Sequence, residues 1–266
     1  MILLLYLALG AVAGTTAGLF GVGGGLVIVP ALIWSFRAQG LDESVVTHTA
    51  VGTSLATIVI TAISSLRAHN EKKGVRWDLF RSLAPGIIIG VMLGVMAASF
   101  LTGPSLQIGI GLYAWITSYK MAFGKQPHSS RTLPSSVGLS GWGAGIGSVS
   151  GLCGIGGGSL TVPFLFWCNV PMPQAVGTAA ACGFPLALFG TATNVWTGWG
   201  NSSLPEWSTG YVFWPAVLGV VLMSTPFARV GAKLAHKLPA LVLRRSFAAF
   251  LFVVGAQMLL PPLLGD

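Results

Sequence analysis

GLFGVGGGLVIVPAL, residues 18–32, sets four glycines (Gly21, Gly23, Gly24 and Gly25) into five positions of an otherwise apolar stretch, and GLCGIGGGSLTVPFL, residues 151–165, repeats the pattern. Each glycine inside a helix costs about 1 kcal/mol relative to alanine. Three adjacent ones therefore predict a broken helix rather than a mere packing face. Working outward at a constant offset of 133, Gly14, Gly18, Gly21, Gly23, Gly24, Gly25, Val29, Pro30 and Leu32 fall on identical residues between Gly147 and Leu165. After a gap, Ala50-Val51-Gly52-Thr53 matches Ala175-Val176-Gly177-Thr178 at an offset of 125, and Pro85 falls near Pro215. The chain reads as a duplication: residues 1–123, a polar linker GKQPHSSRTLP at 124–134, and residues 135–266.

Composition places both halves in a bilayer. The chain is 53% hydrophobic and 8% charged, too few charges to clothe a soluble globule. Apolar runs at 2–36, 45–66, 82–100, 104–123, 135–167, 174–196, 208–228 and 240–263 are long enough for about 30 Å of hydrocarbon at about 1.5 Å per residue. They lack strand alternation, which favours helices. The net charge of +8 does not point to nucleic acid, because the bases lie between apolar runs, where membrane topology accounts for them. Cys153, Cys168 and Cys182 have no metal-ligand spacing, and no cofactor is implied. The opening MILLLYLALGAVAG lacks a basic leader and reads as mature structure.

Every Lys and Arg except Arg37 lies in one of three loops, 67–81, 120–131 and 229–245. If all eight runs crossed the membrane, the third loop would face opposite the first two, and the basic bias expected of cytoplasmic loops would vanish. If run 135–167 instead turns at its glycines and leaves on the side it entered, all three loops are cytoplasmic. The first hairpin rests on the repeat. The expectation is an all-α polytopic membrane protein of two inverted-topology repeats, each a glycine-broken re-entrant hairpin plus three transmembrane helices, with both termini outside.

Non-helical backbone at membrane depth survives only inside protein or beside a watery cavity. Glycine lets consecutive N–H groups converge on a guest. Half-helices starting at Leu26 and Ser159 would aim their N-terminal dipole ends and unpaired N–H groups at it, which suits an anion. The tips Gly21–Gly25 and Gly154–Gly158 are expected to meet near the midplane. Gly21, Gly23, Gly24, Gly25, Gly154, Gly156, Gly157 and Gly158 are the backbone candidates.

Side-chain candidates are Thr53, Ser54, Thr178, Ser159 and Asn194, although Ser and Thr in apolar helices also bond back to their own carbonyls. Gly10, Gly14 and Gly18 read as packing residues. Cys153 reads as a small packing residue, and His48 is either a proton relay or a solvated helix-end histidine. The apolar runs hold no Asp or Glu, which disfavours a metal cation. No lysine follows the glycines, so no nucleotide loop is present.

The paired motifs G-x-F-G-V-G-G-G-x-x-x-x-P and G-x-C-G-I-G-G-G-x-x-x-x-P, each followed by AVGT, resemble the TauE/SafE sulfite exporter family over essentially the whole chain. Carried over, its motif falls on Gly21, Gly23, Gly24, Gly25 and Pro30, and on Gly154, Gly156, Gly157, Gly158 and Pro163; the insertion WSFRAQGLDES departs from it. The resemblance implies a secondary transporter in the bacterial inner membrane, exporting sulfite, organosulfonates or similar anions by alternating access. A passive anion channel and an uptake permease are the alternatives. No enzyme activity is expected, since no nucleophile, base and orienter share an apolar run.

Overall fold

The computed structural model describes residues 2–20, 24–123, 132–235 and 240–264. Ten helices follow in chain order among these residues: α1 (Ile2–Phe20), α2 (Gly25–Ala38), α3 (Glu43–Glu71), α4 (Trp77–Ser99), α5 (Gly103–Phe123), α6 (Ser136–Cys153), α7 (Gly158–Trp167), α8 (Met172–Thr197), α9 (Trp214–Ala235) and α10 (Ala240–Leu264). Both glycine-rich runs are interrupted, as the triple glycines predict. The second helix of each pair starts at Gly25 and Gly158, one residue before the expected Leu26 and Ser159, because glycine itself occupies the first helical position. The first six residues of run 208–228 are not helical. They form a two-stranded ribbon, β1 (Ser208–Thr209) and β2 (Val212–Phe213), with Ser208 opposite Phe213. Residues 124–131 of the expected linker lie outside the described residues.

Local chemistry sets the ends. The Asp42 side chain accepts the Ser44 N–H at 2.8 Å and caps α3, and Ser135 accepts from Gly138 to cap α6. The insertion between α2 and AVGT is a clasp: Arg37, in the last turn of α2, pairs with Glu43 through two bonds of 2.7 and 2.9 Å, and also reaches Gln107 on α5. Gln107 donates to the buried Thr47 hydroxyl at 2.7 Å.

The helices pack across the two halves more than within them. α1 lies along α9, and α6 along α4, where glycines let backbones touch. A Cβ on Gly14 would strike the Ser224 carbonyl, and one on its repeat equivalent Gly147 would strike that of Ile87. Gly10 meets Val220, and Gly143 meets Leu83, in the same way. Residue numbers rise together along both pairs, so both are parallel. α3 faces α8 and α5 faces α10, and these pairs run antiparallel: Leu55 lies at Gly190 while Gly74 lies at Gly177, and Trp115 lies at Gly255 while Ser118 bonds the Ala248 carbonyl. Ser136, opening α6, bonds Ser82 near the start of α4, and Gly177, early in α8, abuts Gly74. The α6–α7 hairpin therefore enters and leaves at one end of the bundle.

Candidate functional site

The helix starts that follow the two breaks are built alike. Gly24 and Gly157, equivalent in the repeat, cap α2 and α7 in the left-handed region, with φ of 69° and 70°. Each carbonyl accepts the first two helical bonds: Val27 and Ile28 donate to Gly24, both at 2.9 Å, and Leu160 and Thr161 donate to Gly157 at 3.1 and 2.8 Å. The N–H groups of the two residues after each cap have no acceptor among the described residues, as helix starts dictate. Gly154 ends α6, also left-handed at φ 67°, and the Ile155 N–H turns back to the Ser150 carbonyl at 3.0 Å.

The breaks meet. A Cβ on Gly25 would lie 2.8 Å from the Gly154 carbonyl oxygen and 2.8 Å from Ile155 Cα. Ser54 on α3 donates to that same Gly154 oxygen at 2.8 Å, and a Cβ on Gly154 would lie 3.0 Å from Val51 Cα. Gly24, Gly25, Gly154 and Ser54 are thus brought together. Gly156, Gly157 and Gly158 follow directly, and the Gly156 carbonyl faces Gly183 on α8. Gly21 and Gly23 lie outside the described residues. The Ser159 hydroxyl shares a 2.8 Å hydrogen bond with Tyr113 of α5, tying the first turn of α7 to that helix.

Other candidates are engaged elsewhere. Thr53 accepts the Phe213 N–H at 3.0 Å, and Thr178 accepts the Arg76 N–H at 3.0 Å. Each sits just before the start of a helix, α9 and α4, in the opposite half. The neighbouring Gly52 and Gly177 lie against the carbonyls of Tyr211 and Gly74, where neither leaves room for a Cβ. AVGT is a docking motif in both halves, and its threonines point at main chain. Asn194 turns its amide onto the Gly190 carbonyl at 2.9 Å. His48 is buried rather than solvated: Nε2 faces the Ala98 carbonyl at 3.1 Å, and the ring packs on Tyr211.

Tyr113, bonded to Ser159, and the buried Ser150 and Thr161 also lie at or beside the second break and were not among the candidates read from the sequence. The available signal was a difference within the repeat, since the first half carries Ala17 and Ile28 where the second carries Ser150 and Thr161.

Residues 6–258 match the family described as Sulfite exporter TauE/SafE. The chain belongs to the TauE/SafE family. It is 39% identical to a "Probable membrane transporter protein" of Haemophilus influenzae, covering 97% of this chain and 98% of that one. A relative of the same description in Methanocaldococcus jannaschii is 29% identical over 98% of this chain and 96% of its own. Bacillus subtilis YunE, likewise described, is 26% identical over 97% and 98%. No solved structure matches the chain. The TauE/SafE family is one of membrane transporters, and the apolar helices fit a multi-pass membrane protein; among the described residues α3, α4 and α8 are each long and apolar enough to cross a bilayer.

Proposed function

We propose that the protein is a secondary transporter of small oxyanions, with sulfite and organosulfonates as the substrate class, held between the two glycine breaks and moved by alternating access. One observation carries the reading: two helices begin at left-handed glycines in the protein interior, the start of α2 resting on the break that starts α7. Converging helix N-termini favour negative charge and offer N–H donors. No ionised side chain competes, since the described residues of both breaks are uncharged.

The inverted arrangement is supported by the contacts. Exchanging the halves turns the α1–α9 pair into α6–α4, both parallel, and leaves α3–α8 and α5–α10 paired with themselves. A two-fold axis in the membrane plane reverses helix direction, so self-paired elements must be antiparallel, and these are. Alternating access draws support from α3, which is buried at every residue from Val45 to Ile58 and more open beyond. There the exposed side of α3 carries an open surface groove lined by Ile60, Ile63, Ser64, Arg67, Ala68 and Glu71. On this reading Arg67 would draw anions toward the basic end, and the Arg37–Glu43 pair lies toward the opposite end of α3. With the cytoplasm negative, the membrane potential favours anion exit by about 2.3 kcal/mol per charge per 100 mV, so export is the preferred direction.

The test is flux of radiolabelled sulfite, sulfate, thiosulfate, taurine and sulfoacetate in proteoliposomes under an imposed potential. Saturable flux of sulfite or a sulfonate, sensitive to the potential, is expected. Flux that rises linearly without saturation identifies a channel, and none with any of the five overturns the reading. Topology has its own check in intact cells. The three native cysteines are buried, so cysteines introduced at Lys72 and Ala235 are expected to label from the cytoplasm only. Labelling from opposite faces removes the inverted repeat.

A further inference from the structure

Ile60, Ile63, Ser64, Arg67, Ala68 and Glu71, which line the open groove on α3, follow one another by one, three or four positions, so they form a single stripe on one helix face. All but Ile63 are exposed, while Thr61, Ala62, Ser65 and Leu66 between them are buried or half-buried. At an offset of 125 the same face of α8 carries Leu188, Phe189, Ala192 and Trp196, of which Leu188, Phe189 and Trp196 are exposed. Large apolar side chains left open on a helix that spans the bilayer meet lipid tails, which are as apolar as they are. The repeat therefore turns the groove on α3 toward the bilayer as well, but there the end of the stripe is polar and charged.

Depth along the stripe follows from length. Counted from Val45, the first apolar residue after the charges of Asp42 and Glu43, about 20 residues cross the hydrocarbon, which ends the crossing near Ser64. A second marker agrees: Trp77, exposed at the start of α4, donates its indole N–H to Asn70 Oδ1 at 3.2 Å, and tryptophan favours the membrane–water interface. Ile60 and Ile63 thus lie at acyl-chain depth, Ser64 at the boundary, Arg67 in the headgroup layer and Glu71 about 6 Å further out. Their spacing would let Arg67 and Glu71 pair, yet among the described residues the ion pairs are Arg37–Glu43 and Arg76–Asp78. Ala68, between them, offers only a methyl group. A cation and then an anion stand open on a lipid-facing stripe.

We propose that this stripe binds an ethanolamine phospholipid of the leaflet at the basic end, with an acyl chain along Ile60 and Ile63, the glycerol esters at Ser64, the phosphate on Arg67 and the ammonium on Glu71. The groups of that lipid run in the same order: hydrocarbon, ester, phosphate, then a primary ammonium two carbons on. Membrane topology accounts for a base at Arg67, but not for an acid beyond it on the same stripe. A phosphatidylglycerol headgroup puts no cation at Glu71, and a choline headgroup has no N–H to donate to it.

The site needs α3 to span the bilayer and no particular cargo, so its failure leaves the transport reading standing. Detergent-purified full-length protein is offered equimolar phosphatidylethanolamine, phosphatidylglycerol and phosphatidylcholine with the same acyl chains, and bound lipids are counted by native mass spectrometry. Wild-type protein is expected to retain phosphatidylethanolamine over both others. Glu71→Gln should cut its preference over phosphatidylglycerol about threefold, the worth of one exposed ion pair, and Arg67→Gln should cut retention of the ethanolamine lipid by a similar factor. Ala68→Phe, which fills the gap and keeps both charges, should lower that retention too, whereas Glu71→Asp keeps most of it. Tm in lipid-free detergent should stay at the wild-type value in every variant, because these side chains are exposed. Equal retention of the three lipids by wild-type protein, or a preference for phosphatidylglycerol, overturns the proposal. So does a wild-type lipid ratio in both Glu71→Gln and Ala68→Phe.

Discussion

Gly157→Leu is expected to abolish the proposed sulfite flux in proteoliposomes while the protein still inserts and purifies as a single species. The expectation follows from backbone geometry. Gly157 has φ of 70°, a left-handed conformation that costs an L-residue about 1–2 kcal/mol. A Cβ there would stand 2.8 Å from Leu186 Cδ1 and in ordinary contact with the Ser150 hydroxyl at 3.5 Å. The Leu186 tip can yield, so the chain still folds, but the cap relaxes toward an ordinary φ. That rotation swings the N–H groups of Gly158 and Ser159 away from the breaks. Flux is measured alongside reconstitution efficiency, so that a loss of protein is not counted as a loss of transport. Wild-type flux from Gly157→Leu would remove the glycine break from the transport path.

The breaks were legible because three adjacent glycines have few physical explanations in an apolar run, and the repeat supplied a second copy of the same signal. Gly10 and Gly14 were legible as packing glycines for a similar reason: spacing by four puts them on one helix face, where they meet Val220 and Ser224. Thr53 and Thr178, expected as guest-binding candidates, accept main-chain N–H groups 160 and 102 residues away. No side-chain type marks a main-chain donor in sequence, so this pairing could not be read from the motif.

Of the two readings of His48, proton relay or solvated helix-end histidine, the structure removes the solvated one, because the ribbon carrying Tyr211 folds over the ring. A ribbon of two residues per strand leaves almost no period to detect.

Gly177→Val and Gly52→Val are expected to fail as folded proteins or to melt far below wild type, and Thr53→Val and Thr178→Val to fall between, with Thr→Ser at either position close to wild type. At both glycines the obstructing atom is a carbonyl oxygen, of Gly74 or Tyr211, so no side chain can swing aside and the elements must part. Overpacking of that kind costs about 1–3 kcal/mol, and parting also breaks the bond from Arg76 N–H to Thr178 or from Phe213 N–H to Thr53, which adds about 1–3 kcal/mol for a buried donor left unpaired. Against a total stability of about 5–15 kcal/mol, that is a large share.

Thr53→Val should cost more than Thr178→Val, because the Phe213 bond is buried and the Arg76 bond only partly so. Thermal unfolding in detergent measures the series, and a wild-type Tm in Thr53→Val would show that the pin carries no stability. The pins also constrain how the transporter can move. They fasten α3 to the segment that starts α9, and α8 to the segment that starts α4, while α1 rides on α9 and α6 on α4. A rocking motion that kept residues 1–123 and 135–266 as its two bodies would have to break every one of these contacts. Under the proposed alternating access, the rocking bodies would each draw helices from both halves.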